Sequence, residues 1–275
     1  MDTFLNGRAY KYANCIMGSL QYVRGVEEDV KVDVALSLSY MKQEDIQKKT
    51  IVVIDALRAT TTILTALHAG AAKVIPVETV GQALQYKCTP DTILIGERHS
   101  VKINGFHLGN SPREVLGVDW KDKTVVITTS NGTKALQKSK KAAYVLVGGF
   151  VNAYHCMCEA VEKKKDILFV CAGRKGEFAI EDTLAAGLMI KYLKTLKPTV
   201  ELSDTALFAG NFFNTDDIHG RLAKLVAQGG TGQRLIKTGQ KSDIDLCLDC
   251  DKFEFTGLYQ HGYITSTHKP TSLKT

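Results

Sequence analysis

The order of periodic segments predicts an α/β chain, three layers deep, with a largely parallel or mixed sheet and helices on both faces. Three observations carry that expectation. Short β-branched runs recur that are apolar throughout, as in strands buried on both faces. Several of them lead into a polar loop and then a segment of helical spacing. No low-complexity linker or Pro/Ser/Gly stretch divides the series.

The first run is 50–55 (TIVVID). Beyond its loop, Ala59, Ile63, Ala66 and Leu67 share one helical face, and Gly70 is placed to end that helix. Residues 73–77 read as the next strand and 80–88 as a helix. Residues 92–96, 124–128, 144–147 and 167–171 read as further strands, with helices over 131–138, 152–163 and 181–194. After Ser203 the pattern is mostly helical, over 208–213 and 218–226, and it breaks at Gly229–Gly230. The expected organisation is an N-terminal extension, 1–30, poor in order, a single α/β catalytic domain, 31–264, and a polar tail, 265–275.

Composition narrows the function classes. The 275 residues are 44% hydrophobic and 23% charged, which suits an ordinary globular core. The net charge of +6 lies largely in dispersed lysine runs, such as those at 138–141 and 163–165, between apolar segments. Basic residues are not interleaved with aromatics, so a solvated surface is expected rather than a nucleic-acid partner. A small anionic ligand fits the charge better. No apolar run approaches the roughly 20 residues that span a bilayer, so no membrane partner is expected. Seven cysteines and no secretory h-region point to reduced thiols in a cytoplasm. A homodimer is the base-rate expectation for assembly.

In an open parallel sheet, ligands sit beyond the carboxyl ends of the strands. Four loops at that edge carry reactive residue types. The first is Asp55-Ala-Leu-Arg58-Ala-Thr60-Thr61-Thr62: a carboxylate, a guanidinium, then hydroxyls at a helix start, where backbone N–H groups favour an anion. Its plain alternative makes Thr60 an N-cap and Asp55 a satisfied strand-end group. The second, Thr128-Thr129-Ser130-Asn131-Gly132-Thr133, offers neutral donors and a glycine for close approach, or simply a cap and tight turn. It lacks P-loop spacing. The third holds Glu97-Arg98 and then Gly109-Asn110-Ser111-Pro112. Its acid–base pair is either a surface ion pair of small worth or a metal- and anion-binding element. The fourth runs from Cys171-Ala-Gly173-Arg174 to Glu181-Asp182, acids that equally suit a helix dipole.

Familiar templates do not fit. Aspartyl-phosphate chemistry needs a second Asp two residues after the first, and Leu57 stands there. Cys171 and Arg174 are too close together to bracket a five-residue phosphate loop. Cys247-x-x-Cys250 and Cys156-x-Cys158 are a weak zinc signal, because a helix points 156 and 158 in different directions.

The runs VIDALRATTTI, GER, GFHLGNSP, TTSNGTKAL and CAGRKGEFAIED together resemble the 2-phosphosulfolactate phosphatases, the ComB family. The likeness spans from about Val32 to the region of Leu246 and Phe253. It implies a fold particular to that family and magnesium-dependent hydrolysis of 2-phospho-3-sulfolactate, a step in coenzyme M biosynthesis. It also implies a site lined by Asp55, Arg58, Thr60, Glu97, Arg98, Asn110, Ser111, Asn131, Thr133, Arg174, Glu181 and Asp182. Thr61, Thr129 and Gly132 are expected beside the substrate. Asp55, Glu97 and Asp182 are the expected Mg²⁺ ligands, since that ion takes oxygen donors and keeps several waters. Asp55 or Glu181 is the expected general base, with Cys171 a lesser possibility as nucleophile. The first 30 residues have no counterpart in this likeness.

Overall fold

The computed structural model describes residues 29–42, 46–214 and 218–268. Nearly all of the expected N-terminal extension, and 269–275 of the expected tail, lie outside the described residues. The chain orders its elements as β1 (Val30–Ala35), β2 (Thr50–Ile54), α1 (Ala59–His68), β3 (Lys73–Pro76), α2 (Val80–Leu84), β4 (Thr92–Arg98), β5 (Val101–Lys102) and α3 (Pro112–Leu116). It continues with β6 (Thr124–Thr128), α4 (Gly132–Ser139), β7 (Tyr144–Gly148), α5 (Ala153–Glu162), β8 (Ile167–Cys171), α6 (Ile180–Leu196), β9 (Val200–Leu202) and α7 (Asp204–Asn211). The last described part holds α8 (Ile218–Gln228), α9 (Gly230–Lys237), α10 (Lys241–Cys247), β10 (Gly257–Gln260) and β11 (Tyr263–Ser266).

One mixed sheet of eleven strands runs β5-β4-β6-β3-β11-β10-β7-β2-β8-β1-β9. The interior strands explain the apolar runs. All five residues of β2 are buried, with Val52 and Ile54 in one core and Ile51 and Val53 in the other. β8 divides in the same way, Ile167, Phe169 and Cys171 against Leu168 and Val170. Alternate side chains thus serve opposite faces, and no position is left for water. α5, α6 and α7 contribute to the first core, α1 and α4 to the second, which gives the three layers expected.

The sheet is built from two parallel groups joined by an antiparallel hairpin. β4, β6 and β3 pair in parallel, as do β7, β2, β8, β1 and β9. The β10–β11 hairpin sits between them, antiparallel to β7 on one side and to β3 on the other. Three antiparallel steps reverse the direction of one group relative to its neighbour. A flat sheet would then send their carboxyl ends to opposite edges. Instead Gly132, after β6, packs on Asp55 after β2. The carboxyl ends of the two groups therefore meet at one place.

This hairpin, β1 and β9 do not stand among the strands expected from the sequence. β11 also crosses the expected boundary at Ile264, because Ile264 is fully buried and pairs with Val74. Among the described residues no helix is long and apolar enough to cross a membrane.

Candidate active site

A cleft opens where the carboxyl ends of β2, β4, β6 and β8 converge, with the starts of α6 and α9 along one side. Asp55, Arg58, Glu97, Asn110, Asn131, Arg174, Glu181 and Asp182, all from the four loops, line it. Leu57, Ser100, Ser130, Gly173, Thr231 and Arg234 line it as well.

Three of the acids each grip two backbone N–H groups. Asp55 Oδ1 accepts from Ala59 N–H at 3.1 Å, and its carboxylate also accepts from Gly132 N–H. Asp182 accepts from Ala56 N–H at 2.9 Å and from Gly173 N–H at 3.0 Å, one on each oxygen. Glu97 does the same with Ser130 and Ser100, both at 2.7 Å. Strand-end loops distant in sequence are braced through these carboxylates. Glycine at 132 is required for that: an added Cβ would lie 2.5 Å from Ala59 Cβ and 2.6 Å from Asp55 Oδ2.

Burial concentrates the negative charge. It pushes the Asp55 carboxyl up to about 7 against the pull of the Ala59 and Gly132 N–H groups, and the charges of Glu97 and Glu181 push the same way. Asp182 is raised well above the usual carboxylate range by burial, then by Glu181 and Asp55. Burial also raises Glu181, while the Thr231 hydroxyl, its own N–H and the Arg174 charge oppose the rise. Such a set is short of positive charge.

Mg²⁺ fits the chemistry of this oxygen-only donor set, because it binds through one or two carboxylates, waters and substrate phosphate. The expected trio of Asp55, Glu97 and Asp182 is not a ready-made cage, however. Among the described residues no three His, Cys, Asp or Glu side chains converge closely enough to hold a metal. The reason is visible in the hydrogen bonds: both oxygens of Glu97 and of Asp182 are turned onto backbone N–H groups.

Several expected substrate contacts are spent within the protein. Arg58 forms a buried ion pair with Asp243 of α10, which also accepts from Ser111 Oγ at 2.8 Å. Arg58 and Ser111 are thus held by an acid 185 and 132 residues further along the chain. Arg98 donates to the carbonyls of Glu97 and Glu78 and to Thr128 Oγ1, and does not line the cleft. Thr60 is not an N-cap. That place is Arg58's, and Thr60 Oγ1 donates to the Asp55 carbonyl at 2.9 Å. Thr61 Oγ1 donates to the Ala56 carbonyl, while Thr129 and Thr133 cap each other. All four threonines are buried, because a hydroxyl this close to a tight loop finds backbone before it finds ligand.

Asn110 behaves differently. It is 5% exposed and lines the cleft, yet among the described residues its Oδ1 has no hydrogen-bond partner. A buried amide left open in a cleft is placed for a ligand. Cys171 is fully buried at the end of β8, and burial drives its thiol far above the usual range. That setting disfavours the thiolate that a nucleophile needs.

Thr231, Arg234 and Asp243 escaped the sequence reading. The Gly-Gly-Thr-Gly run at 229–232 was the available signal, and it read only as a helix break.

Residues 36–262 match the family model described as 2-phosphosulpholactate phosphatase. A Clostridium acetobutylicum protein named "Probable 2-phosphosulfolactate phosphatase" is 37% identical over 238 residues, 86% of this chain and all of that protein. Proteins of the same name from Thermotoga maritima and Caldanaerobacter subterraneus subsp. tengcongensis are 38% and 36% identical, over 76% and 82% of this chain and 88% and 94% of their own. The five motif runs around the cleft lie within this match, and the chain belongs to the 2-phosphosulfolactate phosphatase family.

Proposed function

We propose that this chain is a magnesium-dependent phosphatase that hydrolyses 2-phospho-3-sulfolactate to 3-sulfolactate and phosphate, a cytoplasmic step of coenzyme M biosynthesis. The observation that carries the reading is the cleft itself: Asp55, Glu181 and Asp182 are buried together with raised proton affinities, beside the guanidinium of Arg174. Carboxylates so arranged call for a cation and for an anion bound through it. The family match supplies the substrate class.

Asp55, with Asp182 and Glu97 around it, would hold Mg²⁺. The ion would supply positive charge to the phosphoryl oxygens and acidify bound water. Ser130 and Asn131, at the start of α4, offer neutral donors to the phosphoryl group. Asn110 Oδ1 is an open acceptor in the same cleft, suited to a water or the cation rather than to a phosphoryl oxygen. Among the described residues Glu181 accepts from the Thr231 hydroxyl and faces the Arg174 charge, and no backbone amide of a second loop is bonded to it. It is therefore free to take the proton of the attacking water. Water's oxygen bonds to phosphorus as its proton passes to Glu181, the bond from phosphorus to the C2 oxygen breaks, and sulfolactate leaves with its C2 oxygen protonated by solvent, to which Glu181 returns its proton.

Phosphate release from 2-phosphosulfolactate, measured with Mg²⁺ and again with EDTA, tests this. Metal-dependent release is expected. No release from it or from related phosphorylated hydroxy acids would remove the enzymatic reading, and release from phospholactate alone would move the substrate.

A further inference from the structure

Resting on the phosphatase reading, we infer that Arg234, with Arg174 and Thr231, forms the subsite for the substrate's second anion, its sulfonate or carboxylate, and so sets which phosphate esters the chain accepts. The cleft holds three arginines in different states. Arg58 is neutralised by Asp243. Arg174 opposes Glu181 electrostatically. Arg234 lines the same cleft half-buried, and among the described residues its guanidinium has no ion-pair or hydrogen-bond partner.

The start of α9 is shaped around these groups. A Cβ added at Gly230 would lie 2.6 Å from Arg174 Nη2, 2.7 Å from Cζ and 3.0 Å from Nε, so the guanidinium rests against bare backbone there. Thr231 hydrogen-bonds Glu181. Arg234 follows Thr231 by three residues and shares its helix face. The carboxylates and the β6–α4 loop take the metal and phosphoryl group, which leaves the guanidinium wall with donors and no acceptors. A simple monoester would leave that charge unmatched. An ester with a further sulfonate or carboxylate would neutralise it through charge-assisted hydrogen bonds.

The test compares wild type, Arg234→Ala and Arg234→Lys on 2-phosphosulfolactate, 2-phospholactate and phenyl phosphate. Arg234→Ala is expected to raise KM for 2-phosphosulfolactate on the order of tenfold or more. The rise should be smaller for 2-phospholactate and smallest for phenyl phosphate, with kcat changing less than KM, and lysine should restore part of the loss. An equal rise for all three esters, or a fall in kcat alone, would overturn the assignment. Thermal protection by 3-sulfolactate, which carries no phosphoryl group, needs no turnover and should be seen in wild type and lost in Arg234→Ala. If wild type hydrolyses none of the esters yet shows that difference, the subsite stands and the phosphatase reading fails. Equal protection of both proteins, or none of wild type, overturns the subsite.

Discussion

The Arg58 anchor and the acids of the cleft treat buried carboxylates in opposite ways. On one side Asp243 is ion-paired to Arg58 and hydrogen-bonded to Ser111, so its charge is met by the protein itself. On the other, Asp55, Glu181 and Asp182 share one small volume, with Arg174 as the opposing charge. The first arrangement fastens α10 to the β2 loop and the α3 start. The second holds a deficit that a bound cation and substrate would fill. The acid bonded to Arg58 and the acids of the cleft are thus told apart by what compensates them, not by burial, which is comparable: Asp243 is 2% exposed and Asp182 3%.

The sharpest way to break this comparison is Asp55→Asn. It should lower kcat for phosphate release by about a thousandfold, while the thermal melt stays cooperative, because the amide keeps one acceptor for Ala59 or Gly132. A loss below tenfold would place Asp55 with the structural acids. Next comes Asp243→Ala, which strands the Arg58 charge and should cost about 3–5 kcal/mol in urea denaturation. Arg58→Met combined with Asp243→Leu should cost less than either single change, since no lone charge remains. An Arg58 variant that folds normally but does not turn over would return Arg58 to the catalytic group.

The third test is pH. A carboxyl whose folded value is raised holds its proton more tightly in the native state, so stability falls as pH rises from the unfolded value through the folded one. For Asp55 that window runs from about 3.8 to about 7. The metal-free protein should therefore melt higher at pH 5.5 than at pH 8, and Mg²⁺ should remove much of the difference. A melting temperature that rises with pH in the absence of metal would contradict the charge deficit. The smallest effect is expected of Cys171→Ser, which should leave kcat within about twofold, since a thiol this deeply buried does not supply the thiolate that reacts.

Strands such as β2 and β8 were legible because both of their faces are buried, which writes a continuous apolar run into the sequence. The loops that follow them were legible for the same reason, as polar residues abruptly ending such a run. The hairpin was not. Its strands are four residues each, Gly-Leu-Tyr-Gln and Tyr-Ile-Thr-Ser, and what buries Ile264 is β3, nearly 200 positions earlier. Asp243 was hidden similarly, because nothing local distinguishes a helix acid that faces solvent from one that meets Arg58. The loop threonines misled in the other direction. Their residue type suits an anion, but their position puts backbone carbonyls nearer than any ligand.

The placement of the β10–β11 hairpin has a consequence in time. The two parallel groups that supply the cleft have no ladder between them until these late strands arrive, and Asp55 stands on one group while Glu97 stands on the other. During synthesis the pairing of Val147 with Gly257 waits for β10, and that of Val74 with Ile264 for β11, the last described strand. A chain that stops short of Tyr263 lacks the ladder between β11 and β3, so the edges of the two half-sheets at β3 and β10 stay open and only side-chain packing joins them.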